Sequence, residues 1–276
     1  MRAWLSAIGV LALSFGASQA QTAGVPLAGH RVVYDLTLAK GGSGAKGVDN
    51  ARGRIAFDFL GDACEGYALT YRQVMVLEST EVGARTSDLR TTTFESGDEK
   101  SFRFKTESEQ QGATGRKLDG DAERPVAGGL AVQLRQPKRE SVALAGDVLF
   151  PSAHMKRLIA AARAGETTLN VKVFDGSDDG RKVYDTLGII GRPVDLTAGP
   201  AVEPPLRNDA MSRMTRWPVT LSYFTPGDGE RTPVYVISFE LYENGVSRAL
   251  RLDYGDFALK GEVARFDLVP ASACQR

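Results

Sequence analysis

Short runs of alternating apolar and polar residues, parted by turn residues, recur along most of this chain, and they constrain its fold more than any other feature. In RVVYDLTLA, Val32, Tyr34, Leu36 and Leu38 fall on one face, with Arg31, Asp35 and Thr37 on the other. RIAFDFLG repeats the pattern through Ile55, Phe57 and Phe59. YALTYRQVMVLES starts with Tyr67, Leu69 and Tyr71 on one face, then changes face at Val74 and Val76. Two polar runs, DLRTTTFES and KSFRFKTESE, follow around a Ser-Gly-Asp-Glu turn, and GLAVQLRQ and RESVALA pair across Pro137-Lys138. Such spacing predicts an antiparallel meander, not βαβ units. Asn244-Gly245, between two alternating runs, is the strongest hairpin signal, because both residues tolerate positive φ.

One segment breaks the period of two. PSAHMKRLIAAARAGET carries an apolar stripe at Met155, Leu158, Ile159 and Ala162, which predicts a helix over about 152–164. Ser152 is its expected N-cap and Gly165 its stop. The fold class is therefore mostly β, with about 12–14 antiparallel strands and one principal helix. A sheet that large must cover its apolar face. Phe57, Phe59, Tyr67 and Tyr71 fit an inner face packed on itself. If the sheet curls into an incomplete barrel, its concave side can instead hold an apolar ligand or a partner's segment.

The N-terminus reads as an export signal. Arg2 gives a positive start, Ala3 to Phe15 an apolar stretch too short to cross a bilayer, and Ser18-Gln19-Ala20 a small-residue cleavage site. Residues 1–20 are expected to be cleaved, leaving 21–276 exported and soluble, long enough for one large β-domain or two small ones, with no transmembrane segment. Lys and Arg number 34, as do Asp and Glu, so charge gives no reason to bind nucleic acid. Cys64 and Cys274 would sit in an oxidising space, where an even count favours one disulfide over two free thiols.

Signals for chemistry are weak. FDGSDDGRKVYDT places Asp175, Ser177, Asp179 and Gly180 as at the start of a calcium loop. Thr186 stands where that loop needs its closing Glu, and the flanks read as strands, so the 175–180 segment is read as a turn. His30 and His154 have no second ligand at metal spacing, and His154 is expected at or near the surface. GGSGAKG within the 41–53 loop lacks the ending of a phosphate loop, and no nucleophile elbow appears. No catalytic residue, cofactor or metal is expected.

Several long motifs in combination resemble one family. LFPSAHMKRLIAAARAGE running into VFDGSDDGRKVYDTLGIIG, then WPVTLSYF, TPVYVISFELYENGVSRALRLDYGDFALKG and the terminal LVPASAC, with CEGYALTYR earlier, are similar to the family of cell-envelope integrity proteins called EipB. The resemblance spans about His30 to Cys274. It implies a periplasmic β-spiral of about fourteen strands, similar to the half-barrels of lipoprotein-delivery proteins such as LolA and LolB. It also implies a Cys64–Cys274 disulfide and a role in maintaining the envelope. Three functions follow as expectations. The first is a non-catalytic binding or scaffold protein with envelope or periplasmic proteins as partners. The alternative is a carrier of lipid or acylated protein in the concave sheet face, and the least favoured is an envelope hydrolase.

Overall fold

The computed structural model describes residues 25–39, 48–81, 83–196, 199, 201–227 and 229–270. The expected export signal, most of the 41–53 loop and Cys274 lie outside the described residues. The first eight strands are β1 (His30–Leu38), β2 (Asn50–Asp62), β3 (Gly66–Ser79), β4 (Gly83–Ser96), β5 (Ser101–Gln110), β6 (Arg116–Glu123), β7 (Leu130–Gln136) and β8 (Glu140–Leu144). A two-residue β9 (Val148–Leu149) leads into α1 (Pro151–Arg163). Then come β10 (Thr168–Val173), β11 (Tyr184–Ile190), a 3-10 turn at Pro204–Leu206, and a short α2 (Asp209–Ser212). Four strands close the chain: β12 (Arg216–Phe224), β13 (Tyr235–Tyr242), β14 (Ser247–Asp253) and β15 (Ala258–Leu268).

All fifteen strands form one sheet, in the order β8 to β1, then β15 down to β9. Every neighbouring pair is antiparallel except β9 with β10, which are parallel and joined through α1. This is the predicted meander with one long-range closure, β1 on β15, in which His30 faces Leu268. Connectivity then dictates shape. β8 and β9 are the two ends of the strand order, yet only a few residues separate Leu144 from Val148. Laid flat, fifteen strands span roughly 65 Å at about 4.8 Å per strand, whereas that link reaches at most about 14 Å. The sheet has to curl until its ends approach, and it does so without β8 pairing to β9.

The curl is filled from inside. One apolar core joins β1–β3 and β12–β15 to Leu158, Ile159, Ala161 and Ala162 of α1. A second joins β5–β7 to Val148, Phe150 and Phe174. β3 runs unbroken: Tyr67, Leu69, Tyr71, Gln73 and Met75 keep to one face, so the expected change of face at Val74 does not occur. The inward Gln73 breaks the apolar pattern but is satisfied by the Tyr71 hydroxyl and, at 2.9 Å, the Met75 sulfur.

Helix α1 begins at Pro151, not Ser152, with Phe150 as N-cap, because the fixed φ of proline suits the first helical position. It stops as expected at Gly165, whose φ is +75°. The Asn244-Gly245 hairpin forms, but only Gly245 takes a positive φ, +90°. Gly245 N donates to Tyr242 O at 2.9 Å, the three-residue turn with a bulge instead of the two-residue one.

Candidate functional site

A cleft of about 620 Å³ lies between α1 and the inner face of the curl. β3 supplies Leu69 and Tyr71, β4 Leu89, Thr91 and Thr93, and β5 Thr106 and Ser108. α1 contributes Pro151, His154, Met155 and Leu158, and β12 adds Leu221 and Tyr223 from the far wall. A narrower cleft of about 180 Å³ continues past Leu69, Thr93, Pro151 and Met155 and is walled by His30, Phe57, Phe59, Tyr67 and Phe102. Both exist because strands 80 or more residues apart in sequence are wrapped around one helix.

What fixes the helix there is a carboxylate. Glu95 of β4 is 2% exposed, and its two oxygens accept the Ser152 and Ala153 amides at 2.7 and 3.0 Å. Those amides are unpaired donors at the positive end of α1, so a buried anion is stabilised there. Burial nonetheless pushes the Glu95 carboxyl above its usual range, against the pull of these hydrogen bonds. Lys156 reaches Glu99 at 2.9 Å and lies 5.2 Å above the Tyr67 ring. At the other end, Arg163 pairs with Glu243 at 3.6 Å.

His154 is buried, deeper than the surface or half-buried position expected for it. It is 4% exposed and lines the larger cleft, and its Nε2 finds no hydrogen-bond partner among the described residues. Burial alone lowers its pKa to about 4, so the imidazole is neutral at physiological pH. His30 is different. Its Nδ1 donates to Ala28 O at 2.8 Å and its ring stacks on Phe57 at 5.5 Å, which makes it part of the aromatic wall.

Hydroxyls and phenols supply the rest of the polarity. Thr91 and Thr106 sit side by side across β4 and β5 with oxygens 3.2 Å apart. Tyr223 packs against Tyr184 and Tyr235, and Tyr235 against Tyr254, in a tyrosine row on the second wall. Burial pushes the Tyr71, Tyr223 and Tyr235 phenols upward, so they stay protonated. Asp175 faces the larger cleft, and burial raises its carboxyl too.

The 175–180 segment is a turn built for close packing. Asp175 accepts the Ser177 amide at 2.9 Å and Asp179 the Arg181 amide at 3.0 Å. Asp178 is held by Lys182 and Tyr184. Gly176 has φ +69°, and a Cβ there would stand 2.4 Å from the Phe104 ring. The glycine is needed for that approach to the second core, a reason independent of any cation. Among the described residues no group of His, Cys, Asp and Glu is arranged to hold a metal ion.

Of the aromatics singled out in the sequence, Phe57, Phe59 and Tyr67 line the smaller cleft and Tyr71 the larger. Sequence reasoning missed His154, Glu95 and the Thr91–Thr106 pair. The TTT run held a readable signal, since Thr91 and Thr93 share a strand face with Leu89.

Cys64 lies in the turn between β2 and β3, where its amide donates to Asp62 at 2.8 Å. His30 pairs with both Phe59 and Leu268, so β2 and β15 leave the sheet at the same end. Val269 N then donates to Gly29 O at 2.8 Å. Cys64 and Val269 therefore lie at the same end of the sheet.

Residues 21–270 match the family described as EipB-like. The chain belongs to that family. Its similarity to the cell envelope integrity protein EipB of Brucella abortus (strain 2308) is 36% identity over 257 residues, 92% of this chain and 88% of the relative. A crystal structure of a beta-barrel-like protein from Brucella abortus, of a domain of unknown function, superposes with a TM-score of 0.79. It is 34% identical, and the match covers 88% of this chain and 99% of that one. The EipB-like fold is therefore mostly β and barrel-like, as the sequence implied. No helix among the described residues is long and apolar enough to cross a membrane.

Proposed function

We propose that this EipB-like protein maintains cell-envelope integrity from the periplasm, as a single exported domain that acts by binding and not by catalysis. The named role of its Brucella relative supports the envelope assignment. The cleft between α1 and the concave sheet supports binding, being of the size that small-molecule sites occupy. Within it, His154 Nε2 is hydrogen-bonded to no described serine, threonine or acid, so this imidazole lacks the partner that nucleophilic catalysis needs.

A second reading makes the bound species a lipid or an acylated protein. The smaller cleft favours it, since Leu27, Phe57, Phe59, Tyr67, Leu69 and Phe102 give it a largely apolar wall. The partner on the first reading is an envelope or periplasmic protein.

Deletion of the gene and cell fractionation test the proposal together. The protein should appear in the periplasmic fraction with a mass beginning at Gln21, and the deletion should sensitise cells to detergent. A cytoplasmic protein, or a deletion strain as resistant as its parent, would overturn it. Leu221→Trp, which fills the larger cleft, should fail to restore resistance.

A further inference from the structure

We propose that the larger cleft binds an uncharged amphiphile, whose apolar chain lies against Tyr71, Met155, Leu158 and Leu221 and whose ester, amide or hydroxyl group meets His154 Nε2. This rests on the carrier reading and adds the head-group chemistry and the residue that selects it.

The polar anchor carries the argument. His154 is 4% exposed, lines the cleft and has an Nε2 with no partner among the described residues. A buried nitrogen without a partner destabilises a fold, and an apolar side chain of similar size would fill the position without that cost. A polar group entering from the cleft accounts for a histidine at this position. The paired hydroxyls of Thr91 and Thr106 line the same cleft from β4 and β5. Leu69, Tyr71, Met155, Leu158 and Leu221 give the same cleft apolar surface for a chain, and the volume of about 620 Å³ leads on past Met155 into the smaller cleft.

Charge decides the class of head group. A neutral imidazole offers no cation to a carboxylate or phosphate, and neither does Asp175, which also lines the cleft. Arg116 and Asp178 are both cleft residues, and Asp178 also holds Lys182, so Asp175 and Asp178 stand against two cations and neither kind of ion gains a net attraction. An uncharged group loses least on leaving water and gains the unpaired nitrogen.

The test uses lipid-stripped mature protein titrated with monopalmitoylglycerol, palmitate or hexadecylammonium, each below its micellar concentration. Monopalmitoylglycerol should bind with one-to-one stoichiometry and shift the His154 Nε2 nitrogen resonance. The two charged probes should bind at least tenfold more weakly. In His154→Phe, affinity for monopalmitoylglycerol should fall about tenfold, the worth of one hydrogen bond, while the melting temperature does not fall. If charged probes bind equally well, or His154→Phe binds like the parent, this inference fails and the carrier reading stands. If none of the probes binds, the carrier reading fails with it. Should the variant not fold, an unmoved His154 resonance in the parent protein overturns the proposal by itself.

Discussion

At the scale of single residues, His154 shows what burial does to chemistry. Its pKa falls from 6.5 to about 4 because the charged ring would lose its water, with no anion compensating. Between those values the unfolded chain binds a proton that the folded one does not, so this histidine makes stability rise with pH. Its contribution is complete above pH 6.5 and is lost as pH falls toward 4, by roughly 3 kcal/mol. His30, also lowered by burial, acts in the same direction. Glu95 and Asp175, raised by burial, act in the opposite one. The readout is therefore a difference: urea unfolding from pH 7 to pH 4 should show parent protein losing about 3 kcal/mol more than His154→Phe. Parallel pH profiles would mean that the ring is solvated. The sequence left this open, because His154 stands at the edge of the apolar stripe, one turn before Leu158, and what covers that edge comes from distant strands.

Among the elements, α1 was legible and the connection after β11 was not. Met155, Leu158, Ile159 and Ala162 marked the helix, and its bounds moved by one residue because Pro151 fits its first position. The stretch 192–213 is a polar, Pro-rich connection in the sequence. In the structure it is clamped by ion pairs: Arg248 bonds Glu203 at 2.5 Å and Ala201 O at 2.9 Å, and shares Glu240 with Arg216. Both arginine side chains are at most 5% exposed. Short-range patterns cannot reveal such a clamp, since its members come from three separate segments. Removing one partner of a buried pair leaves the other charge uncompensated. Arg248→Met should cost about 3 kcal/mol and speed amide hydrogen exchange around 201–214, detected by mass spectrometry. Unchanged exchange there would show that Leu206 and Met211, buried in the core, hold the segment unaided.

For the molecule as a whole, the joining of β1 to β15 converts a ribbon into a curl, and the proposed Cys64–Cys274 bond would secure the same end. The bond would close a loop of about 210 residues. The chain-entropy treatment gives such a loop roughly 5 kcal/mol, an upper figure. Replacing both cysteines by serine should lower the melting temperature under non-reducing conditions and leave the fold, read by circular dichroism, unchanged. An identical melting temperature would show that pairing of β1 with β15 suffices without the bond.

By itself the sequence determined most of the strands, where the helix runs and, along β1 and β2, which side chains face inward. Those properties follow from a period of two or of 3.6 residues and from turn chemistry, all set by near neighbours. The meander order was also implicit, because adjacent antiparallel strands need only short links. The tertiary structure alone decided that the two ends of the sheet approach each other, that Glu95 caps a helix 56 residues further on, and that His154 is dry. Each depends on pairing His30–Leu38 with Ala258–Leu268, more than 200 residues apart. No local preference encodes that pairing. It forms because the curl buries one apolar core against α1 and a second around Val148 and Phe150, which lead into that helix.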